Sequence, residues 1–164
     1  MKVLYLALIW IFFVQRLHSL SLTNLSMPSV VEQGRTIDIS CDFEYTEAER
    51  EEIDVKWYFR DSRVPFLQWV PSTGRQPHVL VDRFKGKVDL TLRFLDKGKG
   101  VYQRFSKILN SSLSKFYLSH RRQTLRLITP TTLYSGDYTC KVSTFTVEEM
   151  KVKSLLVYGI DNQL

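Results

Sequence analysis

The stretch "TTLYSGDYTCKVS", residues 131–143, decides the fold of this chain of 164 residues. After a Ser-Gly turn signal the run alternates, with Tyr138, Cys140 and Val142 on one parity, as in a strand with one buried face. The sequence contains one further cysteine, Cys41. In an oxidising compartment such a pair most simply forms one disulfide, and neither cysteine has metal-ligand spacing. We therefore predict a disulfide between Cys41 and Cys140.

The start of the chain has the pattern of an export signal. Lys2 supplies positive charge and an apolar run follows over residues 3–14. This run is too short to span a bilayer comfortably, so an uncleaved anchor is the weaker alternative. Cleavage after Ser19 or Ser21 would suit the preference for small residues. We expect a signal peptide over 1–19, a single domain over 20–164, and a secreted mature chain without a membrane span.

The charges are unevenly distributed. The formal net charge of +6 falls to +4 without residues 1–19, because these contain Lys2 and Arg16. Residues 42–54 contain seven acids and one base, whereas residues 83–126 contain twelve bases and two acids. Either run could steer a partner of opposite sign, although a solvated surface is the simpler interpretation. We do not expect nucleic acid to be the partner of an exported chain.

Alternation with a period of two dominates the chain after residue 29. One run places Ile37, Ile39, Cys41 and Phe43 on the same side, and another does so with Val55, Trp57 and Phe59. Turn signals containing Pro or Gly separate such runs, and no helical pattern extends through them. Many short strands with regular turns predict an all-β antiparallel sandwich.

One segment departs from this alternation. Apolar residues between 101 and 121 recur at spacings of three and four, which suits an amphipathic helix inserted between two strands. The same 21 residues also read like a translated short intron, because they are rich in Phe, Leu, Ser and Tyr. The two cysteines are 99 residues apart, and removing these 21 would leave 78. A helical insertion and a retained intron both fit the sequence.

The pattern resembles a variable-type (V-set) immunoglobulin domain over roughly residues 22–160. Cys41 and Cys140 match the cysteines of strands B and F, Trp57 matches the tryptophan of strand C, and Tyr138 has the tyrosine-corner position. The resemblance implies an immunoglobulin-like β-sandwich in which Trp57 packs against an inter-sheet disulfide.

The stretch "RFKGKV", residues 83–88, is similar to the start of strand D in the same family. There the arginine often pairs with the aspartate before the corner tyrosine, which implies a pair between Arg83 and Asp137. Two departures are the long stretch before strand E and the absence of a Gly-x-Gly bulge in the last strand.

Within this superfamily, "VKWYFRDSRVPFLQW" (55–69) and "SGDYTCKVS" (135–143) are most similar to the beaten-path-type neuronal recognition proteins of invertebrates. Such domains usually bind through the sheet that contains strands C, C′, F and G, and Tyr, Trp and Arg are enriched at binding hot spots. The residues expected on this face are Lys56, Tyr58, Arg60, Phe66, Gln68, Trp69, Lys141 and Ser143.

Motifs of catalysis are absent from the sequence. It contains no HExxH, GxSxG, P-loop or strand-linked GxGxxG motif, and the acidic run lacks the residue order of a calcium loop. We therefore expect no enzymatic activity, no metal and no cofactor. Two sequons for N-glycosylation begin at Asn24 and Asn110, and export would expose them to the glycosylation machinery.

Two functions follow as hypotheses. The leading one is a secreted or cell-surface adhesion module that binds another extracellular protein, a second immunoglobulin-superfamily receptor, in cell–cell or axon recognition. The alternative is a soluble factor that binds sulfated glycans or other polyanions through the basic residues of 83–126. Steep dependence on salt would distinguish the second from the first.

Overall fold

The computed structural model describes residues 20–89, 95–96 and 118–159. These residues form eleven strands and four short 3₁₀ helices. The strands are β1 (Ser21–Ser26), β2 (Val30–Glu32), β3 (Ile37–Thr46), β4 (Asp54–Phe59), β5 (Leu67–Trp69), β6 (His78–Val79), β7 (Val88–Asp89), β8 (Leu95–Asp96), β9 (Leu118–Leu127), β10 (Gly136–Ser143) and β11 (Glu148–Tyr158). The 3₁₀ helices are Glu47–Glu52, Pro71–Thr73, Asp82–Phe84 and Thr132–Tyr134.

The strands pair into two sheets. The five-stranded sheet has the order β1-β3-β9-β7, with β8 also pairing with β9, and its pairs are antiparallel. The six-stranded sheet has the order β2-β11-β10-β4-β5-β6, in which β2 and β11 are parallel and the other pairs antiparallel. In β4 and β10 every second residue is buried, so the alternation seen in the sequence directs one side of each strand into the core.

The disulfide between Cys41 and Cys140 joins the two sheets and confirms the sequence prediction. Trp57 is fully buried beside it, opposite Cys140 across the β4–β10 pair. Its indole Nε1 donates to Oε1 of Gln123 at 3.0 Å, and Gln123 lies opposite Cys41 across the β3–β9 pair. A covalent bond and a buried hydrogen bond therefore cross between the sheets side by side. This arrangement makes the domain an immunoglobulin-like β-sandwich.

The turn that leads into β10 is fixed by two tyrosines. The Tyr138 hydroxyl donates to the carbonyl oxygen of Tyr134 at 2.9 Å, and the Tyr134 hydroxyl donates to the carbonyl oxygen of Arg83 at 2.7 Å. Burial raises the pKa of Tyr138, so its hydroxyl stays protonated and remains a donor. The loop before β10 is thus tied to the segment before β7 at one end of the sandwich.

The segment with helical spacing ends differently from the sequence prediction. Residues 118–121 belong to β9 and pair with residues 43–46 of β3, because β3 is ten residues long and its whole length is paired. Arg121 is buried there, with its guanidinium carbon 5.5 Å from the Tyr45 ring and 5.7 Å from the Trp69 ring. The rest of the proposed insertion or intron, residues 101–117, lies outside the described residues, and so does Asn110.

The leader expected over residues 1–19 also lies outside the described residues. Within the described part, none of the helices has the length and apolar character needed to cross a membrane. The other sequon residue, Asn24, is exposed in β1.

Candidate interaction face of the six-stranded sheet

The outer face of the six-stranded sheet is built mainly by β4, β10 and β11. Residues directly opposite each other in an antiparallel pair point to the same side of the sheet. Three rows of such residues cross the face: Tyr58–Thr139–Val152, Lys56–Lys141–Met150 and Asp54–Ser143–Glu148. Gln68 of β5 extends the middle row, because it lies opposite Lys56.

The centre of this face is polar, and its charges are paired. Lys56 Nζ lies 2.7 Å from Asp54 Oδ2, and Lys141 Nζ lies 2.6 Å from Glu148 Oε2. Gln68 Nε2 donates to both carboxylate oxygens of Asp54, at 3.0 and 2.9 Å. The hydrogen bond from Lys56 to Asp54 raises the pKa of the lysine amine. Two lysines that face each other across the strand pair are therefore each neutralised by a carboxylate on the same face.

Beside this polar centre, β11 carries an apolar row of Met150, Val152 and Leu156. Their side chains are 56%, 57% and 54% exposed. Val30 of β2 is opposite Leu156 and is 55% exposed, and Tyr58, in the same row as Val152, is half-buried. Ser154 lies between Val152 and Leu156 on this side of β11, so the exposed apolar side chains form two pairs, Met150 with Val152 and Leu156 with Val30. Exposed apolar side chains grouped in this way, unlike scattered ones, are typical of a contact surface. The apolar row makes this face a candidate interaction site.

The outer face of the five-stranded sheet is different. Arg122 forms a two-pronged ion pair with Asp42, with Nη2 and Oδ2 2.7 Å apart, and Arg126 does the same with Asp38 at 2.7 and 3.1 Å. Each guanidinium lowers the pKa of its aspartate through these hydrogen bonds. Among the large exposed apolar side chains of the described residues, none lies on β1, β3, β7 or β9.

Two aromatic residues expected on the interaction face are buried. Phe66 is 1% exposed and stacks on Phe84 with ring centroids 4.1 Å apart, and Trp69 is 6% exposed. Leu67 and Trp69 share the inward parity of β5, and Gln68 is its outward residue. Because β5 is only three residues long, most of the aromatic stretch "PFLQW" packs inward. We therefore leave Phe66 and Trp69 out of the interaction face.

Arg60 also serves a different purpose from the one expected. It follows the last residue of β4 and has a φ of 55°, which removes it from the strand alternation. Its Nη2 donates to the carbonyl oxygens of Ser135 at 2.8 Å and Leu133 at 3.3 Å. Its side chain lies so close to Gly136 that a Cβ there would be 2.9 Å from the arginine Cγ. Arg60 thus holds the turn before β10, and Gly136 leaves room for it.

Arg83 and Asp137 both lie in the described part of the chain, and they do not form the expected ion pair. The guanidinium carbon of Arg83 lies 4.5 Å from the centroid of the Phe59 ring, a cation–π contact. Asp137 instead accepts a hydrogen bond from the Ser154 hydroxyl at 2.5 Å. Arg83 thus packs on an aromatic ring, and the side chain that binds the turn before β10 is that of Arg60.

The apolar row of β11 is the part of the face that sequence reasoning missed. A signal was present in "EEMKVKSLLVY", residues 148–158, whose last four residues are all apolar. In a strand, consecutive apolar residues cannot all point to the same side. Leu155 and Val157 are buried, and Leu156 and Tyr158 are exposed. The remaining expected residues, Lys56, Tyr58, Gln68, Lys141 and Ser143, do share the outer face.

The described residues contain no group of three or more His, Cys, Asp or Glu side chains that could hold a metal ion. No family model matches the sequence, and no curated protein matches it either. The chain is similar to a solved structure described as "Chimeric titin Z1Z2 functionalized with a KLER exogenous peptide from decorin". The TM-score is 0.49 and the sequence identity 16%, over 86% of this chain and 48% of that chain. This chain thus spans about half the length of that structure.

Proposed function

We propose that the chain is a variable-type immunoglobulin domain of a secreted or cell-surface recognition protein. Two features support this assignment. The six-stranded sheet continues past β4 into β5 and β6, as the added strands of variable-type domains do. The inter-sheet disulfide suits an oxidising, extracellular environment. The function we infer is the binding of another extracellular protein, as in cell–cell or axon recognition by the beaten-path-type proteins that the sequence resembles.

The apolar row of β11 is the observation that carries this proposal. Its three side chains are more than half exposed and adjoin a polar centre whose lysines are already paired with carboxylates. An apolar row beside a polar, hydrogen-bonding region is typical of a protein–protein interface. The partner we propose is a second immunoglobulin-superfamily receptor. It would cover the apolar row and leave the ion pairs of the polar centre at the rim of the interface.

Binding of a polyanion is the weaker alternative. Three of the basic residues in 83–126 are within hydrogen-bond distance of an aspartate. They are Lys85, which contacts Asp82, Arg122, which contacts Asp42, and Arg126, which contacts Asp38. Arg121 is buried. A sulfated glycan would have to displace these carboxylates before it could use the first three cations. These four described residues therefore offer a polyanion less free positive charge than their number suggests, and six of the twelve bases lie outside the described residues.

The test is a binding screen of the secreted protein against extracellular domains, followed by one substitution in the apolar row. Val152→Lys places a charge in the middle of the apolar row, and we expect it to weaken binding to any partner found by about tenfold to a hundredfold. The matched control is Val64→Lys, because Val64 is 57% exposed, as Val152 is, and lies between β4 and β5, which β10 separates from β11.

Both variants should have the melting temperature of the unchanged protein, since both side chains are exposed. The face assignment is wrong if Val64→Lys weakens binding as much as Val152→Lys, or if neither does. Retention on a heparin column that persists at high salt would favour the polyanion alternative instead.

A further inference from the structure

The first described residue, Leu20, is fixed in an unusual way. Its side chain is 3% exposed, and its backbone N–H donates to Oε1 of Glu49 at 3.1 Å. The other oxygen of this carboxylate, Oε2, accepts from the backbone N–H of Thr46 at 2.9 Å and from its hydroxyl at 2.8 Å. A glutamate of the 3₁₀ helix Glu47–Glu52 therefore binds the nitrogen of the residue that follows the expected leader.

We propose that export processing hydrolyses the peptide bond between Ser19 and Leu20, and that the new α-ammonium group of Leu20 forms an ion pair with Glu49. One water molecule is consumed and no redox partner is needed. The carbonyl carbon of Ser19 gains the water oxygen and becomes a carboxylate, and the nitrogen of Leu20 gains the protons and becomes an ammonium. The catalyst is a protease of the signal-peptidase class. This inference rests on the export part of the proposed function and is independent of the interaction face.

Cleavage after Ser19 keeps contacts of Leu20 that cleavage after Ser21 would remove. The small-x-small spacing of Ser19-Leu20-Ser21 would also suit cleavage after Ser21. That cut would remove the buried side chain of Leu20 together with the donor to Glu49. Cleavage precedes folding, so the contact does not direct the protease. It does mean that the chain beginning at Leu20 keeps every described contact of β1.

The charges around the new terminus favour an ammonium. Glu49 contacts the nitrogen directly, and Glu44 of β3 lies opposite Ser21, with its Oε1 3.6 Å from the imidazole of His120. From β11, Lys151 points its Nζ to the carbonyl oxygen of Thr23 at 2.7 Å. An α-amino group has an ordinary pKa of about 7.7 to 8.0, so it is mostly charged at neutral pH. A hydrogen bond from a cation to a carboxylate is stronger than one from a neutral amide.

The first experiment expresses the full chain of 164 residues in animal cells and measures the intact mass and N-terminal sequence of the protein in the medium. We expect the secreted protein to begin at Leu20. A protein that begins at Leu22 overturns this inference and leaves export intact. A protein that stays in the cells with residues 1–19 attached overturns both this inference and the export assignment, whereas loss of partner binding bears on neither.

The second experiment tests the ion pair in the secreted protein. Acetylation of the α-amine, carried out at mildly acidic pH where lysines stay protonated, removes the positive charge. We expect it to lower the Tm by about 3 to 6 °C. Acetylation should lower the Tm of the Glu51→Gln variant by the same amount, since Glu51 is the control on the same 3₁₀ helix. It should not change the Tm of the Glu49→Gln variant. Equal shifts in all three proteins would overturn the ion pair. Absence of a shift in the unchanged protein would overturn it even if Glu49→Gln failed to fold.

Discussion

The two sheets of the sandwich present outer faces of opposite character. On the five-stranded sheet, Arg122 and Arg126 each form an ion pair with an aspartate of β3. None of the large exposed apolar side chains among the described residues lies on β1, β3, β7 or β9. On the six-stranded sheet the ion pairs lie beside the solvent-exposed apolar row of Met150, Val152 and Leu156. The first face satisfies its own polar groups. The second leaves apolar area that only another molecule can bury.

The two faces therefore differ in what a substitution on them should change. A face closed by cross-strand ion pairs contributes to folding and offers little to a partner. A face with exposed apolar side chains contributes little to folding, and substitutions there should act on binding.

The sharpest test uses two adjacent residues of β5 that point to opposite sides of the sheet. Trp69→Ala should lower the free energy of unfolding by about 3 to 5 kcal/mol, because it empties a buried site. Gln68→Ala removes an outward side chain that hydrogen-bonds Asp54, and we expect a loss below about 1.5 kcal/mol. Urea denaturation measures both. Similar losses for the two variants would mean that Trp69 is not part of the core.

On the five-stranded sheet, Asp42→Ala should be the most damaging outer-face substitution. Asp42 is 4% exposed, and its loss leaves the Arg122 guanidinium without its carboxylate. We expect a loss of about 1.5 to 3 kcal/mol in the free energy of unfolding. Met150→Ala, on the apolar row of the other sheet, is the matched control and should change stability by less than about 0.5 kcal/mol. The separation of the two faces fails if Met150→Ala is the more destabilising change.

The same aspartate gives a dependence on pH. Arg122 lowers the pKa of Asp42 in the folded state, so the ionised carboxylate stabilises the fold above the unfolded value of about 3.9. That stability is lost as the pH falls through the lower, folded value. Asp42→Asn has no such proton to bind and should lose less stability between pH 5 and pH 2. Parallel acid-unfolding curves for the two proteins would argue against the ion pair.

The smallest effect is expected at the exposed pair of Arg126 and Asp38. Both side chains are about half exposed, at 50% and 51%, so solvent and salt screen their attraction. Arg126→Gln should shift the Tm by less than about 1 °C. Differential scanning calorimetry at low and high salt provides the measurement. A larger, salt-sensitive shift would show that this pair contributes as much as the buried one.

The core of the fold was predictable from the sequence, because its residues occupy one parity of well-formed strands. Cys41, Trp57, Tyr138 and Cys140 lie in runs that alternate cleanly, and the disulfide follows from the cysteine count. The interaction face was only partly predictable. Lys56, Tyr58 and Lys141 follow the same alternation and lie outward.

The rest depended on features that alternation does not encode. The strand β5 is too short for its parity to be read, so Trp69 was assigned outward although it is buried. The end of β11 is apolar on both sides, so the sequence did not indicate that Leu156 is exposed. Arg60 leaves the alternation through a positive φ and binds the carbonyl oxygen of Ser135. Apolar spacing within residues 101–117 suggested a helical insertion over 101–121, yet residues 118–121 pair with the long strand β3 and belong to β9.

The pairing of β3 with β9 also has a consequence for the order in which the chain can fold during synthesis. Ile37 pairs with Leu127, and Cys41 must wait for Cys140, 99 residues later. A growing chain therefore carries the apolar side of β3 unprotected until most of the protein has left the ribosome. Contacts of such long range make folding slow and late, and they lengthen the time in which an incomplete chain can aggregate. For this domain, β3 can complete its pairing and its disulfide only after β9 and β10 have been made.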